Sequence, residues 1–284
     1  MLRISDIRKS FGPITAVDGL SLEVPRGIIF GFLGPNGAGK TTTIGMAVGL
    51  TRPDSGSVTL EGLGDPINPA VRARIGVAPQ SLALYDELTA DENLRFFGRL
   101  HGLSRAVINS RCAEILDLVG LTDRRRHRVK TYSGGMKRRL NLAAAIMHEP
   151  ALVLFDEPTA GVDPQSRSAI LDIVKALRDR GCTIVYTTHY MEEAQRLCDR
   201  VAVIDHGRLL AIDTVDGLIT RYGGGSTVTI QTVSGEHRTQ TGDPVAELTA
   251  RLRGPQAHDV LNVRVDRPDL ESVFLSLTGR SLRD

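Results

Sequence analysis

The octapeptide Gly34-Pro35-Asn36-Gly37-Ala38-Gly39-Lys40-Thr41 has the spacing G-x-x-x-x-G-K-[ST]. Its glycines let successive backbone N–H groups curl round a phosphate, at the start of a helix whose dipole also favours negative charge. In such a loop Lys40 reaches the β- and γ-phosphates of a nucleoside triphosphate and the Thr41 hydroxyl ligates magnesium. A second constellation, Ala151-Leu152-Val153-Leu154-Phe155-Asp156-Glu157, is an apolar run that ends in two carboxylates. A buried strand of this kind delivers both acids to the carboxyl edge of a sheet, where open α/β sheets bind their ligands. There Asp156 would hold magnesium through water, and Glu157 would orient or deprotonate an attacking water. His189 follows the apolar run Cys182 to Thr187 and reaches the same edge, as a contact to the γ-phosphate or the attacking water. Gln80, after the short stretch Ile75 to Ala78, could join the magnesium shell from a moving loop.

A further glycine-rich segment, Tyr132-Ser133-Gly134-Gly135-Met136-Lys137-Arg138-Arg139, precedes the apolar helical face Leu140, Ala143, Ala144 and Met147, with Ser133 as the N-cap. Three cations, Lys137, Arg138 and Arg139, stand in the first turn, where the helix dipole favours acids. Either this helix start receives an anion that arrives from elsewhere, or the side chains turn to solvent or to neighbouring carboxylates. The run Arg124-Arg125-Arg126-His127-Arg128 reads as a solvated face.

The elements that must position these groups follow from apolar patterning. Gly27 to Leu33, Ala151 to Phe155, Cys182 to Thr187 and Val201 to Ile204 are uniformly apolar strands separated by helical stretches, which predicts a mostly parallel sheet covered on both faces. Leu2 to Ile7 and Ser57 to Leu60 alternate, as half-exposed antiparallel strands at its edge do. From Gln80 to Ser133 the pattern is helical and charged, a helical insertion at about residues 81–140. Gly223-Gly224-Gly225 breaks the chain. Beyond it Thr227 to Val233 and Val260 to Val265 read as strands, and Val245 to Leu252 and Leu270 to Leu277 as helices. The expected division is 1–219 and 220–284, the second part a small α/β module for packing or dimerisation.

Composition limits the rest. A chain of 284 residues with 41% apolar and 24% charged residues is ordinary for a globular protein of about two domains. The net charge of +2 gives no global field of the kind a dedicated nucleic-acid binder needs, so no nucleic-acid partner is expected and anions must be held locally. Cys112, Cys182 and Cys198 form neither a disulfide framework nor a metal spacing, which predicts a reducing compartment. Met1 to Phe11 interleaves charges where a signal peptide needs an apolar run, and no stretch approaches the ~20 apolar residues of a membrane span.

The whole set resembles the nucleotide-binding subunits of ATP-binding-cassette (ABC) transporters. The phosphate loop, Gln80, Ser133-Gly134-Gly135, Asp156-Glu157, Thr159-Ala160-Gly161-Val162-Asp163 and His189 stand in that family's order over about residues 1 to 220. The resemblance implies an α/β P-loop ABC cassette that binds and hydrolyses ATP with Mg2+, with nucleotide contacts from Gly34 to Thr41 and the adjoining Thr42. It implies two copies paired head to tail, the Ser133-Gly134-Gly135-Met136 helix start of one capping the γ-phosphate held by Lys40 of the other. It also implies Phe11 stacking on adenine, Val17 packing on the base or ribose, and Asp163 at the interface between the copies. The sequence departs from the family pattern with Tyr132 for leucine, Met136 for glutamine and Phe11 for tyrosine. Serine and both glycines remain, so activity is expected; the contact of a glutamine amide across the interface is what the change at 136 removes.

A narrower likeness, to ABC-2 export ATPases of the daunorubicin-resistance type, rests on Tyr132 to Met136, on Thr188-His189-Tyr190-Met191-Glu192-Glu193-Ala194 and on the tail Leu270 to Arg280. It implies an ATPase subunit that powers export of a drug, antibiotic or lipid-like molecule through a separate permease, held peripherally on the cytoplasmic face of the membrane. Leu82 to Leu88 would be the permease contact, or else an ordinary exposed loop with core-facing leucines. The rival is a soluble ABC-type ATPase acting on ribosomes or DNA. Such proteins carry two cassettes or a long coiled-coil or zinc insertion, whereas this sequence has one motif set and no Cys-x-x-Cys.

Overall fold

The structure, a computed structural model, describes residues 1–254 and 257–279; Arg280 of the tail lies outside the described residues. The chain divides into two compact units, Met1–Ile212 and Asp213–Asp284. The first begins with β1 (Leu2–Phe11), β2 (Ile14–Val24), β3 (Ile29–Leu33), α1 (Lys40–Ala47), β4 (Ser55–Leu60), α2 (Pro69–Arg72) and β5 (Ile75–Ala78). It continues with α3 (Ala90–Leu100), α4 (Arg105–Leu118), α5 (Gly134–Ala145), β6 (Leu152–Asp156), α6 (Pro164–Asp179), β7 (Thr183–Thr188), α7 (Met191–Leu197) and β8 (Arg200–Asp205), and β9 (Arg208–Thr214) runs across the division.

Six strands form the principal sheet in the order β5-β6-β7-β3-β8-β9, and β5/β6, β6/β7, β7/β3 and β3/β8 are parallel. Every residue of β3, β6 and β7 is buried, as expected for strands covered on both faces. The register pairs Leu33 with Thr188 and Asp156 with Thr187, so the ends of β3, β6 and β7 come to one edge. A separate three-stranded sheet, β2-β1-β4, is antiparallel and packs its Ile4, Leu20 and Val58 into the same core as Phe30, Ile44 and Leu154. The apolar runs foretold β3, β6, β7 and β8. They did not foretell β2, whose register with β1 shifts at several points, or β9, whose residues are only partly covered.

The helical insertion is built on strong caps. Thr89 and Glu92 form a reciprocal capping box on α3, Ser104 accepts from Val107 N at α4, and Ser133 accepts from Met136 N at α5. β5 and α5 approach so closely that a Cβ on Gly76 would lie 2.2 Å from the Ala145 carbonyl oxygen.

In the second unit lie α8 (Val215–Tyr222), β10 (Ser226–Thr232), β11 (Gly235–Thr241), α9 (Pro244–Leu252), β12 (Val260–Asp266) and α10 (Leu270–Thr278). The sheet runs β11-β10-β12, antiparallel throughout, with Val228 and Ile230 buried. α10 buries Leu270, Val273 and Phe274 and packs with α8, a helix that spans residues 219 and 220. β11, Gly-Glu-His-Arg-Thr-Gln-Thr, has no apolar residue and so gave no period to read.

Candidate functional site

The phosphate loop joins β3 to α1, and its path is set by contacts that only glycine permits. Gly39 has φ 96°, and a Cβ there would meet the Ala16 carbonyl oxygen at 2.3 Å; one on Gly34 would meet that of Ile204 at 2.5 Å. Lys40 opens α1 and is only 6% exposed. Its Nζ donates to the carbonyl oxygens of Gly34 (2.8 Å) and Pro35 (3.1 Å) and lies 3.3 Å from Glu157 Oε1.

Asp156 ends β6, its Oδ1 accepting from the Thr187 hydroxyl at 2.7 Å and its Oδ2 facing the Thr41 hydroxyl at 3.5 Å. The same Thr187 oxygen accepts from Glu157 N at 2.9 Å, so one hydroxyl in β7 aligns both acids. Glu157 is 7% exposed and sits at φ 45°, in the left-handed region that a residue with a Cβ adopts only under constraint. Its Oε2 accepts from Gln80 Nε2 at 3.1 Å and lies 3.3 Å from His189 Nδ1. Three residues from three separate loops therefore meet on one buried carboxylate. Thr42 is partly buried in the first turn of α1.

Two expectations change. Val17 is fully buried in the core, turned inward by the alternation along β2, so it offers no surface to a base or ribose. Phe11, by contrast, is 54% exposed at the end of β1, with Lys9 Nζ 5.6 Å from its ring centre. The cations at the start of α5 are also committed within the chain. Lys137 Nζ donates to Asp86 (2.9 Å), Arg138 to the carbonyls of Gln80 and Ala160, and Arg139 to that of Val119 (2.7 Å). Carbonyls, more than carboxylates or solvent, absorb this charge. In the arginine run upstream, Arg125 pairs with Asp91 and Arg128 with Glu87.

The Ser133-Gly134-Gly135 turn is braced from α6. A Cβ on Gly135 would lie 2.1 Å from Ser166 Oγ, and Ser166 is bound through both N and Oγ to Asp163, the N-cap of α6. Asp163 carries a lowered pKa because of those Ser166 bonds. Tyr132 is buried, with its hydroxyl on the Arg124 carbonyl at 2.7 Å, so the phenol in place of leucine is satisfied. Residue-type reasoning missed Thr187 and Glu193; the polar Tyr186, Thr187 and Thr188 inside a wholly buried strand were the available signal.

Known proteins bear on this geometry. The ABC transporter family model matches residues 17–160. The linearmycin resistance ATP-binding protein LnrL of Bacillus subtilis is 44% identical over 100% of both chains. The daunorubicin/doxorubicin resistance ATP-binding protein DrrA of Streptomyces peucetius is 40% identical over 100% of this chain and 94% of its own. A solved structure described as an ATP-binding subunit of an ABC transporter superposes with a TM-score of 0.71 at 30% identity, covering 78% of this chain and 93% of that one. Among the described residues no helix is long and apolar enough to cross a membrane. With the phosphate loop, the paired acids and the braced glycine turn in the family's order and matching relatives along its full length, the chain belongs to the ABC transporter family, as one of its ATP-binding and ATP-hydrolysing subunits.

Proposed function

We propose that this subunit drives export of a small drug-, antibiotic- or lipid-like molecule through a separate membrane permease, with Glu157 as its catalytic carboxylate. The observation that carries the catalytic assignment is the convergence of Lys40, Gln80 and His189 on Glu157. A triphosphate at the loop takes the backbone N–H groups between Gly34 and Thr42 and draws Lys40 Nζ from the Gly34 and Pro35 carbonyls to its β- and γ-oxygens. Glu157 orients the water and accepts its proton as the water oxygen bonds to the γ-phosphorus. The bond from that phosphorus to the β,γ-bridging oxygen breaks, leaving ADP and phosphate. Lys40 and His189 stabilise the charge that develops. Phe11, exposed at the end of β1, is the stacking surface for adenine.

The Thr41 hydroxyl and Asp156 carboxylate, facing each other at 3.5 Å, fit magnesium, and the Gln80 side-chain carbonyl is a third hard oxygen. Among the described residues no group of three His, Cys, Asp or Glu could hold a metal, which suits an ion that takes one carboxylate together with substrate phosphates. Bound there, it would neutralise phosphate charge.

Pairing of two copies head to tail is supported by the start of α5. Among the described residues, no hydrogen bond joins Ser133, Gly134 or Gly135 to the chain's own phosphate loop. Their amides and hydroxyl meet the γ-phosphate of a second copy, with Met136 and Asp163 at the interface. The permease contact falls at Leu82 to Leu88, where Leu82 and Tyr85 are exposed and Leu84 and Leu88 are half-buried; Phe96 and Leu100 add exposed apolar surface. That contact holds the chain on the cytoplasmic face of the membrane. Export is favoured by the names of the resistance relatives.

Glu157→Gln tests the reading. It should bind ATP with near wild-type affinity, hydrolyse it roughly 10²–10⁴-fold more slowly and accumulate as an ATP-bound dimer in size-exclusion chromatography. Near-normal turnover would remove Glu157 from its role.

A further inference from the structure

Behind the site lies another buried carboxylate. Glu193, in α7, is 3% exposed, and its Oε2 accepts three hydroxyls: Thr159 at 2.9 Å, Tyr186 at 2.9 Å and Thr188 at 3.0 Å. Its Oε1 lies 3.3 Å from Arg167 Nε of α6. A carboxylate this deeply buried is retained only with strong partners, and removing them strands a charge. The partners come from the loop that carries Glu157, from the strand that ends before His189, and from α6.

The arrangement closes on itself. The Thr188 hydroxyl that donates to Glu193 also accepts from Tyr190 N at 2.9 Å, which fixes the turn containing His189. The Tyr190 ring lies against that of His189, with centroids 4.1 Å apart, and the Arg167 guanidinium stands 4.5 Å over the Tyr190 ring. Arg167 then returns to Glu193. His189 rides on this circuit, and Thr159, two residues beyond Glu157, is tied into it. Burial, together with Glu193, pushes the Tyr186 phenol well above its usual range, so it stays protonated and donates.

We propose that Glu193 is a positioning residue that sets the spacing between His189 and Glu157 by fastening their two loops to one buried carboxylate. The proposal rests on the assignment of Glu157 and His189 to hydrolysis and adds to it the group that holds them in register. Glu193, buried behind the site, acts through Thr188 and Thr159.

The full-length chain tests this with ATPase kinetics, nucleotide titration and a double-mutant cycle. Glu193→Gln removes the charge and reduces the acceptor capacity that three hydroxyls share. The expected result is a loss in kcat of roughly 10- to 100-fold, the scale of a small misplacement of a catalytic group, with KM and ATP affinity within about twofold of wild type. In a His189→Ala background the same change should cost little more, because the spacing that Glu193 sets has lost one of its two ends. Thr188→Val, which deletes one of the three hydroxyls, should give a weaker form of the same kcat-only loss and carries the test if Glu193→Gln does not fold. Unchanged kcat, a loss that adds in full to that of His189→Ala, or a parallel loss of ATP affinity would each overturn the proposal. Turnover unchanged by Glu157→Gln and by His189→Ala in the otherwise wild-type chain would defeat the underlying assignment instead.

Discussion

Glu157 is held twice, by Lys40, Gln80 and His189 around its carboxylate and by a left-handed backbone that costs of order 1–3 kcal/mol for a residue with a Cβ. Such strain persists only where the surroundings over-determine it, and here Thr187 fixes the Glu157 amide while Thr41 and Thr187 flank Asp156. Val17 is the contrasting residue, close in sequence to the exposed Phe11 yet part of the core. Val17→Ala should therefore destabilise the chain by about 2 kcal/mol through lost burial and a small cavity. A thermal melt should register that loss, with ATP affinity changed less than twofold; a large loss of affinity at unchanged stability would return Val17 to the nucleotide. At this scale the convergence of Lys40, Glu157 and His189, with Asp156 beside Thr41, was legible from residue type and position after apolar runs. Val17 was not, because family position says nothing about which way an alternating strand turns.

α5 depends on its neighbours at both ends. At its start Arg138 reaches the carbonyls of Gln80 and Ala160, so the helix is fastened to the Gln80 loop and to the loop that carries Glu157. Beyond its end His148 stacks on His101, with ring centroids 3.6 Å apart and planes within 2°. Burial is the main cause that takes the His148 imidazole down from 6.5 to about 4, with His101, Arg74 and Arg111 adding repulsion. Its folded value lies below its unfolded one, so the unfolded chain binds the extra proton first. The stabilisation of the neutral ring is full above pH 6.5 and is lost as pH falls towards 4. Denaturant melts across that window should show stability falling with acidification, and His148→Phe should flatten this contribution; an unchanged acid slope would clear His148. The cap Ser133 was read from its residue type in advance of its helix, whereas Thr89 and Ser104 emerged only with the structure. The destination of the three cations was not, because a backbone carbonyl leaves no mark in sequence.

The proposed head-to-tail pairing makes a prediction that no single chain can satisfy. Lys40→Ala and Ser133→Ala should each lower ATPase activity alone. Mixed, they form some dimers with one site built from an intact Lys40 and an intact Ser133, so the mixture should recover activity above either variant. Simple additivity would argue against shared sites. At the scale of the whole molecule, the sequence suggested two parts, but its glycine break after Tyr222 lies inside the second unit, which begins at Asp213 ahead of α8. The strand order was not, since β3 finds its neighbours at the far end of the unit. That order, β5-β6-β7-β3-β8-β9, has a consequence for synthesis. β1, β2 and β4 can pair once the first sixty or so residues have emerged, but Ile29 to Leu33 must wait for β7 and β8, which end at Thr188 and Asp205. At about 5–20 residues per second, the nascent chain carries an unpaired, wholly apolar strand for roughly ten to thirty seconds. The buried heart of this enzyme is thus exposed to aggregation during translation, when chaperone protection would matter.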